Sequence, residues 1–297
     1  MKFSFVIPSY DRKEELEKCI RSIENAYAFA KNIEIEILII FCVINIDKSS
    51  FDLKFPELTI THYLNENIVC KAKNIGIERA RGEFIILLDD DAMLKEDFLV
   101  KLNSVINNKV NAYCAKMQDP QTKRCFTKKD EGLNKKYLRR VDYNLFRGSA
   151  LIIQKAVIER VGLFDEQFGP GGRYFSAEES DLFFRIKMLK EDVIFVPELV
   201  VFHPIYDTLP ESKAFRYSYA TGAMLTKYCF SDCTNMYIYI YLLLRIFLIC
   251  GVRVIQIIIF PRAMHLKNQE HRYLIVLKGM VLGIFGYLNS RAKLLWQ

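Results

Sequence analysis

A mainly parallel α/β sheet flanked by helices, followed by an apolar helical region, is the fold class that this 297-residue sequence predicts. Three observations lead there. The run Ile85-Ile86-Leu87-Leu88 follows Phe84 and has the unbroken apolar character of a strand buried on both faces. Short apolar runs alternate with helical patterns over residues 1–205, as right-handed βαβ units require. Beyond them, residues 237–260 and 273–288 are two long apolar stretches.

Taken in order, residues 3–7 form a strand that stops at Pro8. Ser9-Tyr10-Asp11 then opens a loop onto an amphipathic helix over 13–30, where Leu16, Cys19, Ile20 and Ile23 keep helical spacing. A second strand covers 33–46, a loop 47–55 and a third strand 58–63. A helix over 71–81 is ended by Gly82 before the central strand. Residues 93–105 read as a helix and 112–117 as a strand. The stretch 119–136 is polar, with five lysines and one arginine, and reads as a mobile loop. Residues 149–153 form a strand and 155–161 a short helix. The glycine-rich Gly169-Pro170-Gly171-Gly172 leads to Glu178-Glu179-Ser180-Asp181, at the head of a helix reaching Lys190. Residues 193–196 and 199–202 are two short strand patterns, and His203-Pro204 follows.

The net charge of +7 is unevenly placed. Residues 204–297 hold 11 Lys and Arg against 4 Asp and Glu, so the body before them is balanced at 31 of each. A neutral body with a basic, apolar tail points to an anionic membrane surface. It disfavours nucleic acid, because the positive charge lies beside apolar runs and forms no aromatic-interleaved basic face. The eight cysteines lack metal-type spacing and read as reduced, mostly buried thiols of a cytosolic protein. The apolar stretch at the amino terminus is too short for a signal peptide.

The central strand ends in Asp89-Asp90-Asp91. Ligands of open α/β sheets bind at the carboxyl ends of strands, and three adjacent acids repel one another unless something holds them. A divalent cation with a taste for oxygen, Mg2+ or Mn2+, is the simplest such holder. The other reading is an acidic loop in which Asp91 caps the following helix.

Several motifs in series resemble the family-2 glycosyltransferases with the GT-A fold. They are Val6 to Arg12, Ala72-Lys73-Asn74-Ile75-Gly76 before Gly82-Glu83-Phe84, and the Asp89–Asp91 triplet. After these come Arg147-Gly148-Ser149-Ala150, Val161 to Glu166, Glu178 to Leu182, and His203. The likeness covers residues 1–205, which it implies are a nucleotide-sugar-dependent catalytic domain, with 206–297 an appended helical region. It implies that Asp91 ligates the metal with His203 and Asp89, and that Asp89 and Asp90 address the donor ribose. Pro8, Ser9, Tyr10 and Asp11 would border the nucleobase, and Lys73, Asn74, Arg147 and Gly148 would serve the donor. Arg147 fits the acceptor equally well.

The resemblance implies a base in an acidic pair, usually Glu-Asp with the second member as base; here the pair is Glu178-Glu179, Glu179 being one methylene longer than the usual Asp, so either can take the acceptor proton. Direct displacement with one base inverts the anomeric centre. Two departures stand out: no acid follows the second strand before Asp47, and Lys73 replaces a common arginine, losing bidentate geometry.

Residues 205–234 resemble the corresponding region of bacterial surface-polysaccharide transferases, with Lys213, Arg216, Tyr217, Tyr219 and Gly222 on a helix. In the run 237–260, Arg245, Arg253 and Gln256 interrupt a length that would span a bilayer, which favours an interfacial or re-entrant helix over a simple span. The basic flanks Arg262, Lys267, Arg272, Arg291 and Lys293 suit anionic headgroups. The expectation is an enzyme on the cytoplasmic side of the inner membrane, acting on a lipid-linked glycan. A homodimer built on these helices with a protein or soluble acceptor, or a binding module without turnover, are the rivals.

Overall fold

The structure, a computed structural model, describes residues 2–30, 32–42, 53–64, 66–107, 110–126, 132–205, 209–259 and 270–295. It falls into two compact units, Met1–Glu166 with Leu182–Ile205, and Gln167–Asp181 with Tyr206–Gln297.

The first unit contains β1 (Phe3–Ser9), α1 (Lys13–Phe29), β2 (Ile35–Phe41), β3 (Thr59–Tyr63), α2 (Val69–Arg79) and β4 (Phe84–Leu87). It continues with β5 (Met93–Leu94), α3 (Phe98–Val105), β6 (Ala112–Gln118), β7 (Lys136–Tyr137), β8 (Leu151–Gln154) and α4 (Lys155–Val161). Then come α5 (Glu178–Met188), whose first turn belongs to the second unit, and β9 (Val193–Phe202). The strands form one sheet in the order β3-β2-β1-β4-β8-β6-β9-β5, with β7 also on β9.

β1 lies at the centre of the parallel half, with Val6 opposite Leu38 of β2 and Leu87 of β4. All seven residues of β1 and of β2 are buried, which explains their lack of polar alternation. α1 covers one face with Leu16, Cys19, Ile20 and Ile23, the four residues whose spacing predicted it.

The sheet is parallel from β3 to β4 and mixed beyond. β8 runs antiparallel to β4 and to β6, and β6 pairs parallel with β9. The helix expected over 93–105 begins only at Phe98. Met93 and Leu94 pair instead with Phe202 and Val201, a tertiary partnership that outweighs local helical pattern. The two strand patterns at 193–196 and 199–202 are one strand, bulged where its register against Ala115 and Lys116 shifts. The polar stretch 119–136 is partly ordered: Gln118 bridges Cys125, and Lys136–Tyr137 forms β7; residues 127–131 lie outside the described residues. The second strand is seen over Ile35–Phe41, with 43–46 and Asp47 outside the described residues.

The second unit contains α6 (Glu211–Ser231), α7 (Met236–Ile259) and α8 (Glu270–Leu295). α6 and α8 approach closely through glycines. A Cβ at Gly222 would strike the Met280 carbonyl, and one at Gly283 the Tyr219 carbonyl. α7 is different, with Tyr237, Tyr241, Leu244, Leu248, Val252 and Ile255 exposed. Arg262 and Lys267 lie outside the described residues. All eight cysteines are free thiols, six of them buried.

Candidate functional site

β4 ends at Leu87, and Leu88 N donates to Val6 O, so the chain leaves the sheet beside the end of β1. Asp89–Asp91 form a tight turn closed by Ala92 N donating to Asp89 O at 3.1 Å. The acid expected as a helix cap is therefore free of that duty; the N-cap of α3 is Asp97.

Each carboxylate of the turn has a different environment. Asp90, 2% exposed, accepts from Ser9 Oγ at 3.0 Å and Tyr10 N at 3.4 Å and pairs with Arg12 Nη2 at 2.9 Å. Burial pushes its pKa up to about 6 against the pull of Arg12 and Ser9, with Asp91 and Asp89 adding to the rise. Asp91 Oδ2 receives Arg12 Nη1 at 2.7 Å. Burial opposes its ionisation, yet His203 and Arg12 together hold its pKa below the ordinary value. Asp89 Oδ2 accepts from Ser149 Oγ.

His203 arrives from the end of β9, where its N–H donates to Gln118 O at 2.9 Å. Its Nδ1 lies 2.9 Å from the Pro204 carbonyl, which can only accept, so Nδ1 carries the proton. Nε2 then faces the acids, 3.2 Å from Asp91 Oδ1 and 3.7 Å from Asp89 Oδ2. Burial alone would lower the His203 pKa; Asp91 and Asp89 outweigh it and raise the pKa. Asp91 Oδ1 is buried and, with Nε2 unprotonated, accepts no hydrogen bond. One ligand atom from each of Asp89, Asp91 and His203 lies within 4.8 Å of the others. A lone pair on Nε2, an orphaned carboxylate oxygen and a second acid are a donor set that suits a divalent cation.

Among the other residues singled out by sequence, Pro8 and Ser9 are buried at the end of β1 while Tyr10 is exposed. Asp11 adopts a left-handed φ of 44° at the turn into α1. Lys73 is buried, with Nζ 5.2 Å from the centre of the Phe164 ring. Asn74 is engaged at both ends of its carboxamide: Phe164 N donates to Oδ1 at 2.8 Å, and Nδ2 donates to Phe164 O at 3.0 Å and Glu166 Oε1 at 3.3 Å. It thus ties α2 to the turn after α4. Arg147 stacks over Phe126 at 4.4 Å, and Gly148 starts the 3-10 turn Gly148–Ala150 that presents Ser149. In the second unit, Glu178 is buried and Glu179 half-buried in the first turn of α5. Phe175 and Ala177 just before it hold left-handed φ values of 64° and 72°.

Three residues of the site escaped the sequence reading. Arg12 and Ser149 sit inside quoted motifs, but their partners in the acid turn lie far away in the chain. Asp119 was read as loop. Its Oδ1 accepts from Thr122 N at 2.7 Å, Thr122 Oγ1 at 2.9 Å and Gln121 N at 3.1 Å, and its Oδ2 from Ile205 N at 3.2 Å. Those bonds, from Thr122 first, bring its pKa down to about 2. Asp119 therefore buttresses the segment that carries His203.

Residues 56–168 match the glycosyl transferase family 2 model. A GalNAc(5)-diNAcBac-PP-undecaprenol beta-1,3-glucosyltransferase of Campylobacter jejuni is 33% identical over 116 residues, 36% of this chain and 35% of that protein. Glycosyltransferase GlyG of Streptococcus pneumoniae is 25% identical over 207 residues, 65% of this chain and 67% of that protein. The chain thus spans about a third of the first curated relative and two thirds of the second. Among solved structures, the mannosyltransferase PcManGT of Pyrobaculum calidifontis, in complex with GDP-Man and Mn2+, aligns with a TM-score of 0.62 at 13% identity, over 96% of this chain and 87% of that one. S. aureus TarS aligns with a TM-score of 0.58 at 14% identity, over 76% of this chain and 64% of that one. At such identities the likeness is one of fold, and that fold is the GT-A type expected from the motifs.

Proposed function

Starting from a chain whose residues 56–168 carry the glycosyl transferase family 2 signature, we propose that the protein is a metal-dependent, inverting glycosyltransferase that moves a sugar from a nucleotide donor to a hydroxyl of a lipid-linked glycan. One observation carries the reading: Asp89, Asp91 and His203 converge, with Asp91 Oδ1 buried and unsatisfied. Asp91, His203 and Asp89 would hold Mn2+ or Mg2+. When bound, the ion supplies Lewis-acid neutralisation of the charge developing on the departing nucleoside diphosphate.

The chain's own groups do the rest. His203 is set by Pro204 so that Nε2 faces the acids, and Asp119 holds that segment in place. Asp90, fixed by Ser9 and Arg12, is left to the donor ribose, with Pro8, Ser9, Tyr10 and Asp11 bordering the base. Arg147, Gly148 and Lys73 serve the donor phosphates, and Asn74 shapes the turn beside them. In the transfer, the acceptor oxygen forms a bond to the anomeric carbon while the bond from that carbon to the phosphate oxygen breaks. The bonding pair leaves with the diphosphate, and the acceptor proton passes to a carboxylate of the Glu178–Glu179 pair. A single displacement inverts the anomeric centre.

The tail supports this reading of the acceptor and the location. α7 and α8 are each long and apolar enough to cross a membrane. On α7 the exposed apolar residues Tyr237, Tyr241, Leu244, Leu248, Val252 and Ile255 fall at spacings of three and four, with exposed Arg245 and Arg253 along their border. A stripe of this kind lies in the plane of an anionic leaflet with its arginines at headgroup level. The glycan acceptor of the Campylobacter jejuni relative, by its name, is held on undecaprenol diphosphate, which supports a polyprenyl-linked acceptor at a membrane surface; the cytoplasmic face of the inner membrane is the side where nucleotide sugars are available in this reading.

The test is calorimetric titration of UDP-, GDP-, dTDP- and CMP-sugars into the full-length protein with Mn2+ or Mg2+, and again with EDTA. Metal-dependent binding of one nucleotide class, lost in Asp91→Ala, is the expected result. Folded protein that binds none of them, with or without metal, overturns the reading.

A further inference from the structure

α5 begins with the proposed base pair, and the structure gives its first turn an unusual mooring. Asp181 is fully buried. Lys227 Nζ of α6 reaches its Oδ1 at 2.6 Å. The Tyr228 hydroxyl lies 2.8 Å from the same oxygen and 2.7 Å from the Asp181 carbonyl oxygen. Tyr228 packs in turn on Tyr239 of α7 at 5.5 Å, and the Tyr239 hydroxyl donates to Asp232 Oδ2 at 2.7 Å at the end of α6. All of these residues belong to the second unit.

The position of Asp181 matters more than its charge. Residues of an α-helix are set about 100° apart around the axis, so Asp181 points roughly 200° away from Glu179 and within about 60° of Glu178. Clamping Asp181 to α6 therefore fixes the rotation of the turn: Glu178 is held on the buried side and Glu179 turned outward. The chain enters the turn through Phe175 and Ala177, both in the left-handed region, a conformation that persists only where the surroundings hold it. A buried carboxylate also demands a partner; Lys227 and Tyr228 supply a cation and a hydroxyl at hydrogen-bonding distance.

We infer that Lys227 and Tyr228 are positioning residues for the transfer reaction, acting through Asp181 to set the direction of the Glu178–Glu179 carboxylates. This rests on the reading above that the pair contains the base. Since Tyr228 also packs on α7, the helix with the exposed apolar stripe, the mooring joins the base-bearing turn to the helix that meets the lipid.

The test uses full-length Lys227→Met, Lys227→Arg and Tyr228→Phe. Hydrogen exchange over residues 177–184 is followed beside exchange over 84–91. Steady-state release of UDP or GDP is measured from UDP-glucose and GDP-mannose, whichever is turned over with Mn2+ and a polyprenyl-diphosphate-linked sugar. Lys227→Met is expected to raise exchange selectively at 177–184 and to lower kcat about tenfold or more, with the KM for nucleotide sugar within about twofold of the parent. Lys227→Arg should recover most of kcat, and Tyr228→Phe should fall between. Folded Lys227→Met with unchanged kcat and unchanged exchange overturns the inference, as does an equal rise in exchange at both segments with loss of donor binding. The control is Glu178→Gln and Glu179→Gln: if neither lowers kcat, the base assignment fails, and that outcome is separate from a failure of Lys227→Met in a protein where one of them is inactive.

Discussion

His203 Nε2 stands 3.2 Å from Asp91 Oδ1 while its Nδ1 is committed to the Pro204 carbonyl. In the neutral imidazole that arrangement sets a lone pair against a carboxylate oxygen, which is repulsive unless a proton or a cation lies between them. Without metal the proton takes that place, and this is why the pKa of His203 is raised in spite of its burial.

The consequence is a competition between proton and metal. Mn2+ must displace the Nε2 proton, so affinity should improve as pH rises through the raised pKa of His203, above its ordinary 6.5, and level off beyond it. On the acid side the loss should approach about tenfold per pH unit. Mn2+ titrations across pH 6 to 9 check this, and affinity that stays flat throughout would contradict it.

Arg12→Met removes the cation shared by Asp90 and Asp91. Asp90 is buried and already shifted up to about 6, so its pKa should climb further. A buried acid with a raised pKa destabilises the fold where it must be charged. The variant should therefore lose roughly 1–3 kcal/mol near pH 8, and the deficit should shrink as pH falls through the folded-state pKa. Melting curves at pH 8 and pH 5 distinguish this from a loss that is equal at both.

Asp119→Ala should weaken Mn2+ binding about tenfold without touching a ligand, because the Ile205 N–H and the Thr122 turn lose the carboxylate that anchors the His203 segment. An affinity equal to the parent's in calorimetry would show that His203 is placed by Gln118 and Pro204 alone.

Gly222→Ala puts a methyl group against the Met280 carbonyl, where α6 and α8 meet backbone to backbone. Neither backbone can yield locally, so the helices must part, at a cost of about 1–3 kcal/mol. Gly251→Ala on α7 has open space around its Cβ and serves as control. Equal melting temperatures for the two variants would refute the close packing.

Leu244→Glu with Leu248→Glu places two acids on the exposed stripe of α7, at residues 63% and 67% exposed. Co-sedimentation of full-length protein with vesicles containing phosphatidylglycerol should drop at least tenfold for the double variant, with melting little changed. Binding equal to the parent's would move the lipid contact elsewhere.

Elements with a strong pattern of their own were legible in the sequence. The strand that ends in Asp89–Asp91, the α1 stripe of Leu16, Cys19, Ile20 and Ile23, and the apolar lengths of α7 and α8 all declare themselves locally. Met93 and Leu94 did not, because a two-residue strand carries no periodicity and exists only by pairing with Val201 and Phe202. The strand through Pro197 likewise read as two, since a bulge interrupts the pattern that β6 then spans.

By itself the sequence determined where the central strand stops and which chemistry follows it, because burial on two faces favours an apolar run and three adjacent unpaired carboxylates cannot continue it. Only the tertiary structure decided what those acids meet. His203, Arg12 and Ser149 come to the turn from three other segments, Asp119 braces the segment after His203, and Lys227 and Tyr228 come to Asp181 from another helix. A polar side chain's partner is chosen by how the sheet and helices pack, and no local spacing records that choice.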